Sequence, residues 1–136
     1  MKQIYFYLII LVVAFGCSTG QKALKQGNYY DATLQAVQHL RTKPDSEKAL
    51  ATIKRSYPMA LNYYRQKVDE YSRTNATDKY LRIAEVYTKL NILADEISRS
   101  PAALNAVKPV VYFHEQLAKS KEMAVTEQIQ AAEKLL

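Results

Sequence analysis

A fold built on tight turns needs glycine or proline at many places, and this chain of 136 residues has three glycines and four prolines. Gly16, Gly20 and Gly27 all fall within the first 27 residues, while Pro44, Pro58, Pro101 and Pro109 are well separated. That leaves no supply of turns for a β-sandwich or barrel. Alanine, leucine, lysine, glutamate and glutamine fill the intervals, and all are good helix formers. The expected fold class is therefore all-α: antiparallel helical hairpins, stacked as a short array or a compact bundle. Proline is accepted in a first helical turn and expelled from interiors, so each proline reads as a boundary.

The apolar spacing places the helices between those marks. Thr19 to Gln26 is a short first one, closed by Gly27-Asn28 in a left-handed cap. Tyr29 to Thr42 is the second, with Leu34, Val37 and Leu40 at spacings of three and Ala36 beside them. Lys43-Pro44-Asp45 breaks the chain, and Asp45 caps a third helix running from Ser46 to Ser56. Pro58 opens a fourth through Leu61, Tyr64, Val68 and Tyr71, and Asn75 or Thr77 caps a fifth. That fifth helix, Asp78 to Ser98, carries a seam of Tyr80, Ile83, Tyr87, Leu90, Ala94 and Ile97, widened by Leu81, Ile92 and Leu93. Ser100-Pro101 begins a short turn of helix. Pro109 starts the last one, which runs to Leu136 through Val110, Phe113, Leu117, Ala124, Ala131 and Leu135.

The start of the chain is of another kind. Met1-Lys2-Gln3 precedes an unbroken apolar run from Ile4 to Phe15, followed by Gly16-Cys17-Ser18. A cationic start, an apolar core of about a dozen residues and a small residue before a cut is the layout of a secretory signal. The run is too short for a spanning helix, which needs about 20 apolar residues. Cys17 is the only cysteine, so no internal disulfide is open to it. Ala14-Phe15-Gly16-Cys17 resembles the lipobox of bacterial lipoproteins, with Phe15 in place of the usual small or hydroxylated residue. The resemblance implies removal of residues 1–16 and a diacylglycerol and an N-acyl chain on Cys17. No other cofactor is expected. Ser18 stands where an aspartate would imply inner-membrane retention, and no acidic run follows. The implied location is the outer membrane, facing the periplasm.

The stretch Ala23-Leu24-Lys25-Gln26-Gly27-Asn28-Tyr29-Tyr30-Asp31-Ala32, with Pro44-Asp45 after it, resembles a tetratricopeptide repeat. In that family Gly-x-Tyr-x-x-Ala closes a helical hairpin and a proline follows the second helix. Gly27, Tyr29, Ala32 and Pro44 hold those positions. Tyr57-Pro58-Met59-Ala60-Leu61 repeats the motif 28 residues on, against about 34 in the family, with Tyr57 and Ala60 as its matches and Pro58 in place of the glycine. The resemblance implies a tetratricopeptide-like part over 19–71, followed by a long-helix part over 77–136, within a single helical domain at 17–136. As a whole the chain is similar to small helical lipoproteins of Bacteroidetes.

Little in the sequence points to catalysis. His39 and His114 are the only histidines, and neither has a partner at metal spacing. No glycine-rich phosphate loop or nucleophile elbow is present. The expectation is a protein that is not an enzyme and has no evident small-molecule substrate. The net charge of +6 is concentrated early: residues 17–82 hold 12 basic and 6 acidic side chains, and residues 83–136 hold 6 and 7. No run of Lys or Arg exceeds two, which gives nucleic-acid binding no support. Eleven tyrosines are the odd feature of the composition. The pairs Tyr29-Tyr30 and Tyr63-Tyr64 cannot both face one core, so one member of each is expected at the surface. Tyr30 and Tyr63, with Arg65 nearby, are the candidate partner-binding residues. The function expected is a lipid-anchored, non-catalytic envelope adaptor that binds a protein partner. The alternative is a basic helical module that binds a cell-wall or lipopolysaccharide component.

Overall fold

The computed structural model describes residues 18–135, so the signal segment, Cys17 and Leu136 lie outside the described residues. The described chain is all-helical. Its helices are α1 (Gln21–Lys25), α2 (Tyr29–Thr42), α3 (Glu47–Ser72), α4 (Lys79–Ser98), α5 (Pro101–Val107) and α6 (His114–Glu133).

The α1–α2 hairpin follows from its small residues. Gly27 takes φ +78°, and the amides of Gly27 and Asn28 donate to the Leu24 and Ala23 carbonyls at 3.1 and 2.9 Å. This is the paired bond pattern that a left-handed glycine permits at a helix end. A second left-handed glycine, Gly20, lies against α2 so closely that a Cβ there would sit 2.2 Å from the Ala32 carbonyl oxygen. Ala32 is fully buried beneath it. Inside the pair, Thr33 donates to Ser56 at 2.8 Å, which fastens α2 to α3 through a buried hydrogen bond.

The largest correction to the sequence reading is in α3. The two helices expected at Ser46–Ser56 and from Pro58 onward are one helix of 26 residues with Pro58 inside it. Proline removes one amide, here the partner of the Lys54 carbonyl. Lys54 and Pro58 are both exposed, so the freed carbonyl falls on the solvent side of the helix. On the opposite face Ala49, Ile53, Tyr57 and Ala60 are buried without interruption and hold the helix together. Burying one side chain such as Ile53 contributes about 1.5–3 kcal/mol, so the buried row together outweighs the proline's cost of about 3 kcal/mol. The second copy of the Gly-x-Tyr-x-x-Ala motif, at Tyr57 and Ala60, therefore lies in mid-helix and makes no turn. The cap also differs: Ser46, and not Asp45, accepts from the Ala49 amide at 3.3 Å.

In α4 the expected seam is largely kept. Ile83, Leu90, Leu93, Ala94 and Ile97 are buried, and Tyr80 and Tyr87 are half-buried. Leu81 and Ile92 do not widen it, since each is 47% exposed; Ala84, Val86 and Asn91 are buried on its flanks instead. Neither Asn75 nor Thr77 caps the helix. Asp78 holds that position and its carboxylate pairs with Arg82 Nε at 2.8 Å. Ser100 and Pro101 begin α5 as expected, with the Ser100 hydroxyl accepting from the Ala103 amide.

Pro109 does not start the last helix. The segment from Lys108 to Phe113 crosses the fold as an irregular strap, and α6 begins at His114. Two side chains from other helices accept the strap's amides: Tyr57 Oη from Val111 at 3.0 Å, and Asn91 Oδ1 from Phe113 at 2.7 Å. With those bonds available the backbone gains nothing by coiling, and the neighbouring valines Val110 and Val111 favour extension. At its far end α6 stops at Glu133, and Ala131 and Leu135, expected on its apolar face, are exposed.

Two packed regions result. The main core joins α2, α3, α4 and α5 through Val37, Leu40, Ile53, Tyr57, Leu93, Ile97 and Ala103. A smaller one gathers Val86, Leu90 and Phe113 with Val68, Tyr71 and Tyr87 at their edge. Among the described helices, α6 packs on α4 alone.

Candidate functional site

Because α3 and α6 both lie on α4 without meeting each other, an open groove runs between them. Two adjoining hollows of about 390 and 510 Å³ make it up, and they share Val68, Tyr87 and Gln116. The floor comes from α4, as Ile83, Tyr87 and Leu90. Phe113, at the end of the strap, stacks on the Tyr87 ring with centroids 5.5 Å apart. Met123 of α6 and Val68 of α3 face it from the sides, each half-buried. The rim carries charges of both signs, Arg65 and Asp69 from α3 and Lys119 from α6. Burial pushes the Tyr87 phenol above the ordinary tyrosine value, and Asp69 adds to the shift. A trough with an apolar floor, one methionine at its side and a polar rim can cover the apolar side of a segment that is polar elsewhere.

On the other side of the α3–α4 seam lies a smaller cleft of about 180 Å³, formed by Tyr63, Tyr64, Lys67, Tyr71, Arg82 and Lys89 with Glu85 and Val86. Lys67 stands 5.9 Å from the centre of the Tyr63 ring, and Arg82 stands 5.8 Å from that of Tyr71. Both cations also pair with carboxylates, Glu70 and Asp78.

The three residues singled out for partner binding do not form one surface. Tyr30 is half-buried, with its ring edge-on to Tyr64 at 6.1 Å; burial first, then Asp31 and Glu96, raise its phenol. Tyr29 meets Tyr63 at 6.4 Å and Tyr63 meets Tyr64 at 5.2 Å, so four tyrosines knit α2 to α3 edge to face. Tyr63 is 44% exposed at the smaller cleft. Arg65 lines the larger groove. Two residues apart on a helix they point about 200° from each other, which separates them onto opposite sides of the α3–α4 pair. Of the repeat-motif positions, Gly27 makes the hairpin turn, Tyr29 is half-buried, Ala32 is buried, and Pro44 is exposed in the α2–α3 loop. Cys17 lies outside the described residues.

Gln116 and Met123 carry no sequence signal for the groove. They lie on a helix that begins at His114 and not at Pro109, Phe113 ends the strap before it and not a helical stripe, and Asn91 is a polar residue in an apolar seam. That last anomaly was the available signal, since a buried asparagine needs a partner. Of the histidines, His39 is buried, with Nδ1 unpartnered, and His114 is exposed and stacked on Tyr112 at 5.1 Å. Among the described residues no three His, Cys, Asp or Glu side chains converge to hold a metal ion, and no helix is long and apolar enough to cross a membrane. Comparison with protein-family models, curated proteins and solved structures finds no match to this chain.

Proposed function

We propose that this protein is a non-catalytic, lipid-anchored adaptor of the bacterial envelope, and that the groove between α3 and α6 holds an apolar segment of a protein partner. The observation that carries the reading is the groove itself: Val68, Tyr87 and Met123 stand half-exposed where two hollows of about 390 and 510 Å³ adjoin, and an apolar side of a peptide segment would cover them. The lipobox-like Ala14-Phe15-Gly16-Cys17 supports attachment through acyl chains on Cys17, at the outer membrane and facing the periplasm. The α1–α2 hairpin, with its left-handed Gly27 and buried Ala32, supports a tetratricopeptide-like origin for the first part of the array.

Affinity purification from crosslinked cells tests the adaptor. A stoichiometric partner retained by the parent chain and lost with Met123→Glu supports the groove, provided Ile92→Glu, on a surface outside it, retains the partner. Loss with both variants, or with neither, refutes it. The alternative, a basic module for an anionic envelope component, is favoured by the charge distribution: residues 18–59 hold seven basic and three acidic side chains, against eleven and ten in residues 60–135.

A further inference from the structure

The end of the molecule with the basic excess contains a cleft that the partner groove does not use. Leu24 and Lys25 of α1 face Ala51, Arg55 and Met59 of α3 across a space of about 340 Å³, with Tyr29 beside them. No carboxylate lines it. The nearest along α3 is Glu47, about two turns before Arg55. Lys25 and Arg55 are exposed and make no ion pair among the described residues. Two free cations beside an apolar wall of Leu24, Ala51 and Met59 suit a ligand that is itself part anion and part hydrocarbon.

We infer that this cleft seats the phosphate headgroup of an anionic membrane lipid, with Lys25 and Arg55 on the phosphate and the apolar wall on the glycerol and first methylenes. Its position supports that occupant over a soluble one. Ser18 is bonded to Gln35 at 2.6 Å and Gly20 is packed on Ala32, so the chain leaving residue 17 is held against α2. Helix α1 follows at once and is only about 7.5 Å long. An anchor at Cys17 would hold this end of the fold at headgroup level, where the surface potential of anionic lipid acts within about a Debye length of 8 Å. For that orientation the inference rests on the anchored reading above.

The test removes the anchor. In residues 17–136, the form left once the signal is removed, Cys17→Ser with Met59→Cys supplies the sole thiol for a polarity-sensitive dye, and Ile92→Cys supplies a control. Vesicles of phosphatidylcholine containing phosphatidylglycerol are compared with phosphatidylcholine alone. The dye at position 59 should shift to the blue only on the anionic vesicles, and the dye at 92 on neither. Lys25→Gln with Arg55→Gln should weaken the anionic partitioning about thirty-fold, at about 1 kcal/mol for each cation near such a surface. Equal shifts at 59 and 92, equal shifts on both vesicle types, or undiminished partitioning of the double variant would each overturn the inference. A shift with inorganic phosphate alone and none with vesicles would assign a free anion and overturn the lipid. The comparison of vesicle types does not use the double variant, so it decides even if that variant folds poorly. Lipidation itself is read separately by fatty-acid labelling at Cys17, which keeps the failure of one idea distinct from the failure of the other.

Discussion

Replacing Asn91 by leucine should loosen α6 and the groove it walls. Asn91 is 7% exposed and its Oδ1 accepts the Phe113 amide at 2.7 Å, the buried bond at the point where the strap becomes α6. Leucine keeps the branched shape of asparagine, is somewhat bulkier and has no acceptor, so the Phe113 N–H stays buried without a partner. Removing one side of a buried hydrogen bond costs about 1–3 kcal/mol, because the remaining group keeps its full desolvation penalty. At about 2 kcal/mol, a domain near this size should lose roughly 8 °C in Tm. The loss should be local as well as global. Among the described helices α6 packs only on α4, and the strap's other bond to α3 runs through Tyr57. Thermal unfolding followed by circular dichroism gives the first number, and hydrogen exchange at Phe113 and along α6 gives the second. An unchanged Tm, or faster exchange spread evenly over α2 and α3, would refute the latch.

Three further outcomes follow from the same structure. Gly20→Ala should destabilise by more than Gly27→Ala in denaturant titrations: both positions have left-handed φ, costing about 1–2 kcal/mol for an L-residue, but only Gly20 would also drive its Cβ to within 2.2 Å of the Ala32 oxygen. Pro58→Ala should stabilise, by about 1–2 kcal/mol, since it restores the amide partner of the Lys54 carbonyl and gives back only part of the proline's advantage in the unfolded chain; a lower Tm would mean that Pro58 serves the fold in another way. Burial holds the phenols of Tyr30, Tyr57, Tyr64 and Tyr87 above the usual 10.0, so the folded state keeps protons that the unfolded state releases. Their contribution is fully present below that value and lost as pH rises through the folded values, so alkaline titration should show stability falling from about pH 10 and phenolate absorbance rising with unfolding.

Helix content was legible because it rests on what the sequence lacks. With so few turn residues, α2 runs over the expected Tyr29–Thr42 and α5 begins where Ser100-Pro101 indicates. The failures share one cause: local rules were outvoted by partners distant in sequence. Pro58 should have ended a helix, but Ile53, Tyr57 and Ala60 share one buried stripe with the main core on both sides of it. Pro109 should have begun one, but Tyr57 and Asn91 supply acceptors that no reading of residues 108–113 alone contains. The groove was illegible for the same reason, since it exists only because α6 docks on α4 and leaves α3 uncovered. Tyr63 and Arg65 looked like one patch in the sequence; the helical rotation between them sends them to different clefts.

The account stands most directly on what touches the groove in the cell. A photo-crosslinking residue placed singly at Val68 or Met123, inside it, and at Ile92 or Val125, on exposed surface outside it, reads this in intact cells. The account predicts one shared covalent adduct from positions 68 and 123, absent from 92 and 125. Adducts from 92 or 125 alone, or none at 68 and 123 in a correctly localised protein, would contradict it.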